Sequence, residues 1–221
     1  VWSRKMPADM FTLSPRDIKI KNAKLWWPRG YGESPLYVFE ASLLSPDGKL
    51  LDSKRINVGL RTVNLKRSDV FKNGDKGEFA FYVNGRKIYI KGTNWVPLDA
   101  LHSRDPQHLL KTLEMAVDLN CNMLRCWGGN VYESDAFYDF CDKNGILIWQ
   151  DFSLACTTPP QDDDFAKAME IEARSVVERL RHHPSLALWA GNNENDSSFY
   201  WLFNSNRLNI DPSKERISRK V

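Results

Sequence analysis

One carboxylate stands where chemistry is easiest to place. Glu194 closes the run Leu186-Ala187-Leu188-Trp189-Ala190-Gly191-Asn192-Asn193, an apolar stretch that ends in a dense polar cluster. Continuous hydrophobics are the pattern of a parallel strand buried on both faces. In a β/α barrel, polar residues at the C-terminal end of such a strand are placed for catalysis. A carboxyl group beside an indole-bearing strand also loses solvation, which favours the neutral, proton-donating form a general acid needs. Glu194 is therefore the first catalytic candidate.

The elements that must position it come in two regimes. Up to about Arg67 the chain is all-β: Leu36 to Leu44 is strand-like, Ser45-Pro46-Asp47-Gly48 is a turn, and Leu50 to Leu60 can return as a partner strand. Short strands with Pro/Gly turns predict an immunoglobulin-like β-sandwich. About 65 residues is short against the roughly 100 of such a domain, so a truncated start is expected. Trp26 and Trp27 read as packing residues of that sandwich. A second hairpin is predicted at Phe79 to Ile90 around Asn84-Gly85.

Strands and helices then alternate, which argues a parallel sheet. Asp105 and Pro106 read as N-cap and first-turn proline of one helix, Ser134 to Lys143 as a second closed by Asn144-Gly145, and Asp162-Asp163-Asp164 as the acidic start of a third. Four strands end at Gly92-Thr93-Asn94-Trp95, Arg125-Cys126-Trp127, Trp149-Gln150-Asp151 and Asn193-Glu194. Each terminates in polar or aromatic residues. A doubly wound nucleotide fold would carry a glycine-rich fingerprint after its first strand, and none is present. The prediction is a multi-domain β plus α/β chain. Residues 1–67 form a partial immunoglobulin-like β-sandwich, and 68–221 the N-terminal half of a (β/α)8 TIM barrel, with room from Arg86 onward for about four barrel units.

Composition excludes several classes. A net charge of +3 with scattered basic residues gives no footprint for nucleic acid. No apolar stretch approaches the roughly 20 residues of a membrane helix. The opening Val1-Trp2-Ser3-Arg4 lacks an initiator Met and reads as a processed or truncated start. Cys121, Cys126, Cys141 and Cys156 contain no CxxC pair, which argues against zinc and redox motifs and for buried free thiols. Cys121 and Cys126, an odd number of positions apart on one strand, are expected on opposite faces. His182-His183 before Pro184 reads as a helix C-terminal cap rather than a metal site. No cofactor and no metal are expected.

These motifs together resemble glycoside hydrolase family 2, and within it the β-mannosidase-like branch. Leu25-Trp26-Trp27-Pro28-Arg29-Gly30-Tyr31-Gly32 with Leu36-Tyr37 is similar to the domain preceding the family's barrel. Gly92-Thr93-Asn94-Trp95-Val96-Pro97, Asn122 to Gly129 and Trp149-Gln150-Asp151-Phe152 are similar to its first three barrel strands, and Asn192-Asn193-Glu194-Asn195 to its acid/base motif. Five such segments in order are a specific signal. Asn130 departs from the pattern, which often has a third glycine there, and this weakens the choice of sugar.

The resemblance implies a retaining exo-glycosidase acting on terminal β-mannosides. Glu194 would be the general acid/base, and Asn193 would contact the sugar 2-hydroxyl. The nucleophile Glu would lie beyond Val221, with the rest of the polypeptide completing the barrel. This chain alone is then expected to be inactive. Trp95 and Trp127 could form an aromatic wall for a sugar or be core packing. Asp151 could bind a sugar hydroxyl or hold Arg125 in a buried pair, and Arg125 could be an internal strut or a ligand contact. Asn94 and Asp99 are further candidates for sugar hydrogen bonds. An exo-β-glucosaminidase, another family 2 glycosidase and a non-catalytic carbohydrate-binding remnant are the alternatives. A second carboxylate about 5.5 Å from Glu194 would separate enzyme from binder, and Asp151 is the internal one to check. The family resemblance is compatible with a periplasmic, secreted or lysosomal location, and the residues fix none of them.

Overall fold

A computed structural model describes residues 18–68, 77–195 and 197–198. Strands β1 (Tyr37–Leu44) and β2 (Leu50–Val58) form the expected antiparallel hairpin. The next sheet has three antiparallel strands, β3 (Val63–Arg67), β4 (Phe79–Val83) and β5 (Arg86–Ile88). Asn84 and Gly85 turn β4 into β5 with φ of 49° and 78°. Positive φ at both central residues matches the strand twist of a two-residue hairpin. Strand β3 was not anticipated from the sequence. The division expected between 67 and 68 falls in the connection from β3 to β4, so the hydrogen bonds of this sheet cross it. Glu78 helps to hold the sheet, receiving Lys66 at 2.7 Å and Lys87 at 2.8 Å.

The remaining strands form a parallel sheet in sequence order: β6 (Gly92–Trp95), β7 (Met123–Cys126), β8 (Leu147–Asp151) and β9 (Leu186–Ala190). Helices α1 (Asp105–Asp118), α2 (Asp135–Asn144) and α3 (Asp163–Leu180) link them in turn. This is the β/α alternation of a barrel, with four strands among the described residues. No helix among these residues is long and apolar enough to cross a membrane.

Alternation along the strands sorts side chains into two layers. Leu124, Cys126, Ile148 and Leu186 join Leu113, Phe137, Cys141, Val176 and Leu180 in the layer facing the helices. Met123 and Leu147 face the other way, into a cluster with Phe81, Val83, Ile88 and Trp26. The inward positions farther along β7 and β8 are Arg125 and Asp151. The sheet thus carries apolar side chains at its floor and polar ones at its C-terminal rim.

Several local expectations are corrected. Trp26 does not belong to a sandwich core: it is 0% exposed beneath the barrel strands, and its indole N–H donates to the carbonyl of Asp142 at 2.8 Å. Around it, Arg61 donates to the carbonyls of Pro184 and Leu186, and Arg29 N–H to the carbonyl of Gly145. The segment before the barrel is therefore docked on the barrel floor. Trp27 stays with its own loop, its ring over Gly32.

Asp105 is the first residue of α1 rather than its cap. Its carboxylate accepts from the backbone N–H of Asp99 and pairs with His102 Nδ1, tying down the loop before the helix. The Asp162 prediction holds, since its side chain accepts from Phe165 N–H at 2.7 Å. Gly145 terminates α2 in the left-handed conformation at φ 69°, as its position implied. Cys121 and Cys126 lie in one cluster, not on opposite faces, because Cys121 precedes β7 and escapes the strand's alternation. Cys121, Cys126 and Cys141 are buried free thiols, whereas Cys156 is exposed. The expected cap is met in part: His182 hydrogen-bonds the backbone of Arg179 in the last turn of α3, and the His183 N–H closes that turn on Leu180 O at 3.1 Å, but the His183 ring turns elsewhere. His183 is buried, with Nδ1 2.7 Å from Asp142 Oδ2 and its ring 5.2 Å from that of Tyr138.

Candidate active site

The C-terminal rim of the parallel sheet brings four of the candidate residues into one hydrogen-bond network. Arg125, at the inward position near the end of β7, sits between β6 and β8. Its Nη2 donates to Asp151 Oδ2 at 2.7 Å and to Asn193 Oδ1 at 2.7 Å, and its Nε reaches Asp151 Oδ1 at 3.3 Å. Nη1 lies 3.4 Å from Asn94 Oδ1. The guanidinium also lies 5.6 Å from the ring centroid of Trp149, two residues before Asp151 on β8. Asn94, Arg125 and Asp151, from three consecutive strands, and Asn193, just past the end of the fourth, are thus joined through one cation.

Asp151 is saturated. Besides Arg125 it accepts from Trp149 Nε1 at 2.9 Å and from the backbone N–H of Gly128 at 3.1 Å. Four donors fill the roughly four acceptor positions of a carboxylate. With its side chain 0% exposed, Asp151 is engaged by these partners as the buried half of the pair with Arg125. Of the two readings open for it and for Arg125, the buried pair and the strut describe the geometry.

Glu194 follows immediately after this network. The chain is fastened beyond the ends of β8 and β9 by Phe152 N–H to Ala190 O, Asn193 N–H to Leu154 O and Cys156 N–H to Asn193 O. These bonds include an isolated parallel bridge between Ala155 and Asn193. Glu194 then takes φ 57°, left-handed for a non-glycine residue. Such conformations cost on the order of 1–3 kcal/mol and collect at functional sites. Glu194 is exposed, so the desolvating wall expected around it is not supplied by the described residues. Its Oε2 lies 3.5 Å from the sulfur of Cys156.

The other candidates lie outside this network. Trp95 is 4% exposed in the helix-facing layer, 5.1 Å from the ring of Phe137, with its N–H donated to Glu133 at 2.8 Å. It is core packing, because its position on β6 points it away from Asn94. Trp127 is half-buried and lies over Gly129 in its own loop. Asp99 organises the loop after β6, accepting from Leu101 N–H at 2.9 Å, with His108 Nε2 3.7 Å away.

Sequence reasoning missed Trp149 and Cys156. Trp149 could have been found from its inward register beside Asp151. Cys156 gave no signal, since its place in a loop left its direction open. Among the described residues, ligand atoms of Asp139, Asp142 and His183 lie within 4.8 Å of one another, on the floor side. Asp142 is already engaged there by His183 and by the N–H of Ser185.

The same chain segments match known proteins. The sequence model of Glycosyl hydrolases family 2 matches residues 4–61, and that family's TIM barrel domain matches residues 76–212. The chain belongs to glycosyl hydrolases family 2. Within this family it is 41% identical over 185 residues to a beta-mannosidase of Bos taurus, covering 82% of the chain and 21% of that protein. It is likewise 41% identical over 180 residues to beta-mannosidase B of Aspergillus niger, covering 80% and 21%. The crystal structure of a beta-D-mannosidase from Dictyoglomus thermophilum superposes with a TM-score of 0.75 at 42% identity, over 82% of the chain and 22% of that protein. A beta-glucuronidase of Parabacteroides merdae shares the fold at TM-score 0.67 and 23% identity, over 81% and 21%. The chain spans about a fifth of the length of the relatives it matches.

Proposed function

We propose that this family 2 chain carries the acid/base half of an exo-acting glycosidase that releases terminal β-mannosides with retention. The observation that carries the reading is Glu194 at the rim of β9, within a sequence 41% identical to beta-mannosidases. Glu194 protonates the glycosidic oxygen as the bond to the anomeric carbon breaks, then takes a proton from the water that cleaves the glycosyl-enzyme. The nucleophile is a second carboxylate about 5 to 5.5 Å from Glu194. Asp151, with four donors on it, is a poor candidate for that role, and the family resemblance implies a Glu from a later barrel strand. Asn193 holds the sugar 2-hydroxyl. Its amide is steered by Arg125 on the oxygen and Cys156 on the nitrogen, which leaves one donor and one acceptor position free. Division into units 1–67 and 68–221 belongs to the same proposal, with a β-linked mannoside as the partner.

The test is hydrolysis of aryl β-mannoside, β-glucosaminide, β-galactoside and β-glucuronide by the full-length protein and its Glu194→Gln variant. The mannoside should be preferred, and the variant should lose about 10²- to 10⁴-fold on substrates whose leaving group needs a proton. Preference for another sugar would replace the specificity, and undiminished turnover by Glu194→Gln would remove the proposed mechanism.

A further inference from the structure

Cys156 and Glu194 are drawn together by more than proximity. Both are non-glycine residues in the left-handed conformation, at φ 49° and 57°. The backbone bond from Cys156 N–H to Asn193 O, at 2.8 Å, sets the two residues facing each other across the extensions of β8 and β9. The side chains then form a directed chain: Asn193 Nδ2 donates to the Cys156 sulfur at 3.3 Å, and the sulfur lies 3.5 Å from Glu194 Oε2. Because the sulfur receives the amide hydrogen, its own S–H is free to be donated to the carboxylate.

From this geometry we infer that Cys156 is a positioning residue for Glu194, a role that rests on the glycosidase reading above. The thiol engages Oε2, which leaves Oε1 as the oxygen that carries the proton to the leaving group. A carboxyl group on a strained, exposed turn would otherwise sample rotamers in which neither oxygen faces the substrate. The thiol fixes one rotamer, and the bond it receives from Asn193 couples that rotamer to the residue that holds the sugar. The sulfur touches no reacting atom.

Two measurements test this in the full-length protein. In the first, kcat/KM is compared for wild type, Cys156→Ala and Cys156→Ser on phenyl β-mannoside, whose leaving group needs a proton, and on 2,4-dinitrophenyl β-mannoside, whose leaving group does not. Cys156→Ala should lower the phenyl value about tenfold, a fraction of the full effect of a positioned acid, while the dinitrophenyl value stays within about twofold. Cys156→Ser keeps a donor and should recover most of the phenyl activity. An equal loss on both substrates means a general disturbance of the fold and overturns the inference, as does no loss on either.

The second measurement needs no turnover. Iodoacetamide modification is read by mass spectrometry on the peptide that carries Cys156, the exposed one of the four thiols in this sequence. The reactive species is the thiolate. A carboxylate that accepts the thiol proton and repels the thiolate slows alkylation, so Glu194→Gln should speed it about threefold or more. A rate indifferent to Glu194→Gln overturns the contact. If wild type turns over neither mannoside, the glycosidase reading fails, and the alkylation comparison still decides whether Cys156 and Glu194 meet.

Discussion

The indole N–H of Trp26 donates to the carbonyl oxygen of Asp142 at 2.8 Å, joining positions 116 residues apart. That carbonyl lies in the last turn of α2, where helix carbonyls lack intrahelical partners. Trp26 therefore satisfies a buried acceptor and fills the floor of the sheet with one side chain. Trp26→Ala should destabilise the chain by about 3–5 kcal/mol, the range for large aromatic deletions in a packed core. Urea unfolding followed by circular dichroism measures this. Trp26→Phe should lose less but leave the acceptor unpaired, at a cost of about 1–3 kcal/mol.

At the opposite end of the sheet, Arg125 neutralises a carboxylate that has no exposure of its own. Arg125→Met removes two of the four donors to Asp151 and leaves its charge buried. Breaking a fully buried pair costs about 3–5 kcal/mol, and the 26% exposure of Arg125 lowers this to about 2–4. The double variant Arg125→Met/Asp151→Leu should be more stable than the single one, because no charge is then stranded. A thermal melt of the three proteins decides it.

Gly145 combines two demands. Its φ of 69° disfavours a side chain, and an added Cβ would stand 2.7 Å from Arg29 N and from Ser34 Oγ. Gly145→Ala should cost about 2–3 kcal/mol, more than the roughly 1 kcal/mol of the backbone conformation alone. Since the clash is with the docked segment, amide exchange at Arg29 should quicken in the variant.

Glu78 gives a pH signature. Hydrogen bonds from Lys66, Lys87 and Tyr82, in that order, hold its carboxyl at about 2 against an ordinary value of 4.5. A carboxyl lowered by folding stabilises the fold fully above 4.5, and that contribution is lost as pH falls through about 2. The difference in Tm between wild type and Glu78→Gln should therefore be constant from neutral pH down to about 5 and vanish near pH 2. Both lysines are exposed, so 1 M salt, where the screening length is about 3 Å, should shrink the difference.

Much of this was legible because local rules and the global fold agree. The Asn84-Gly85 turn, the Asp162 cap and the Gly145 stop each rest on chemistry within a few residues. The four parallel strands were marked by apolar runs ending in polar residues, and Asn94, Arg125, Asp151 and Asn193 met because each ends such a run. What was missed depends on partners distant in sequence. Trp26 gave no sign that it would leave its own domain for the barrel floor. His183 looked like a helix cap because Asp142, its partner, lies 41 positions away. Trp95 was open between a sugar wall and core packing, and a single step along β6 from Asn94 turns it to the helices.

The docking of the preceding segment beneath the sheet has a mutational corollary. Trp26, Arg29 and Arg61 grip the floor, while Asn94, Arg125, Asp151 and Asn193 line the rim, separated by the length of strand β7, about 13 Å for four residues. Mutations in the grip change how firmly two pieces of chain cohere, and mutations at the rim change how the ends of the strands are tied to one another. The two ends share no hydrogen bond among the described residues, so a change at one can be accommodated without disturbing the other.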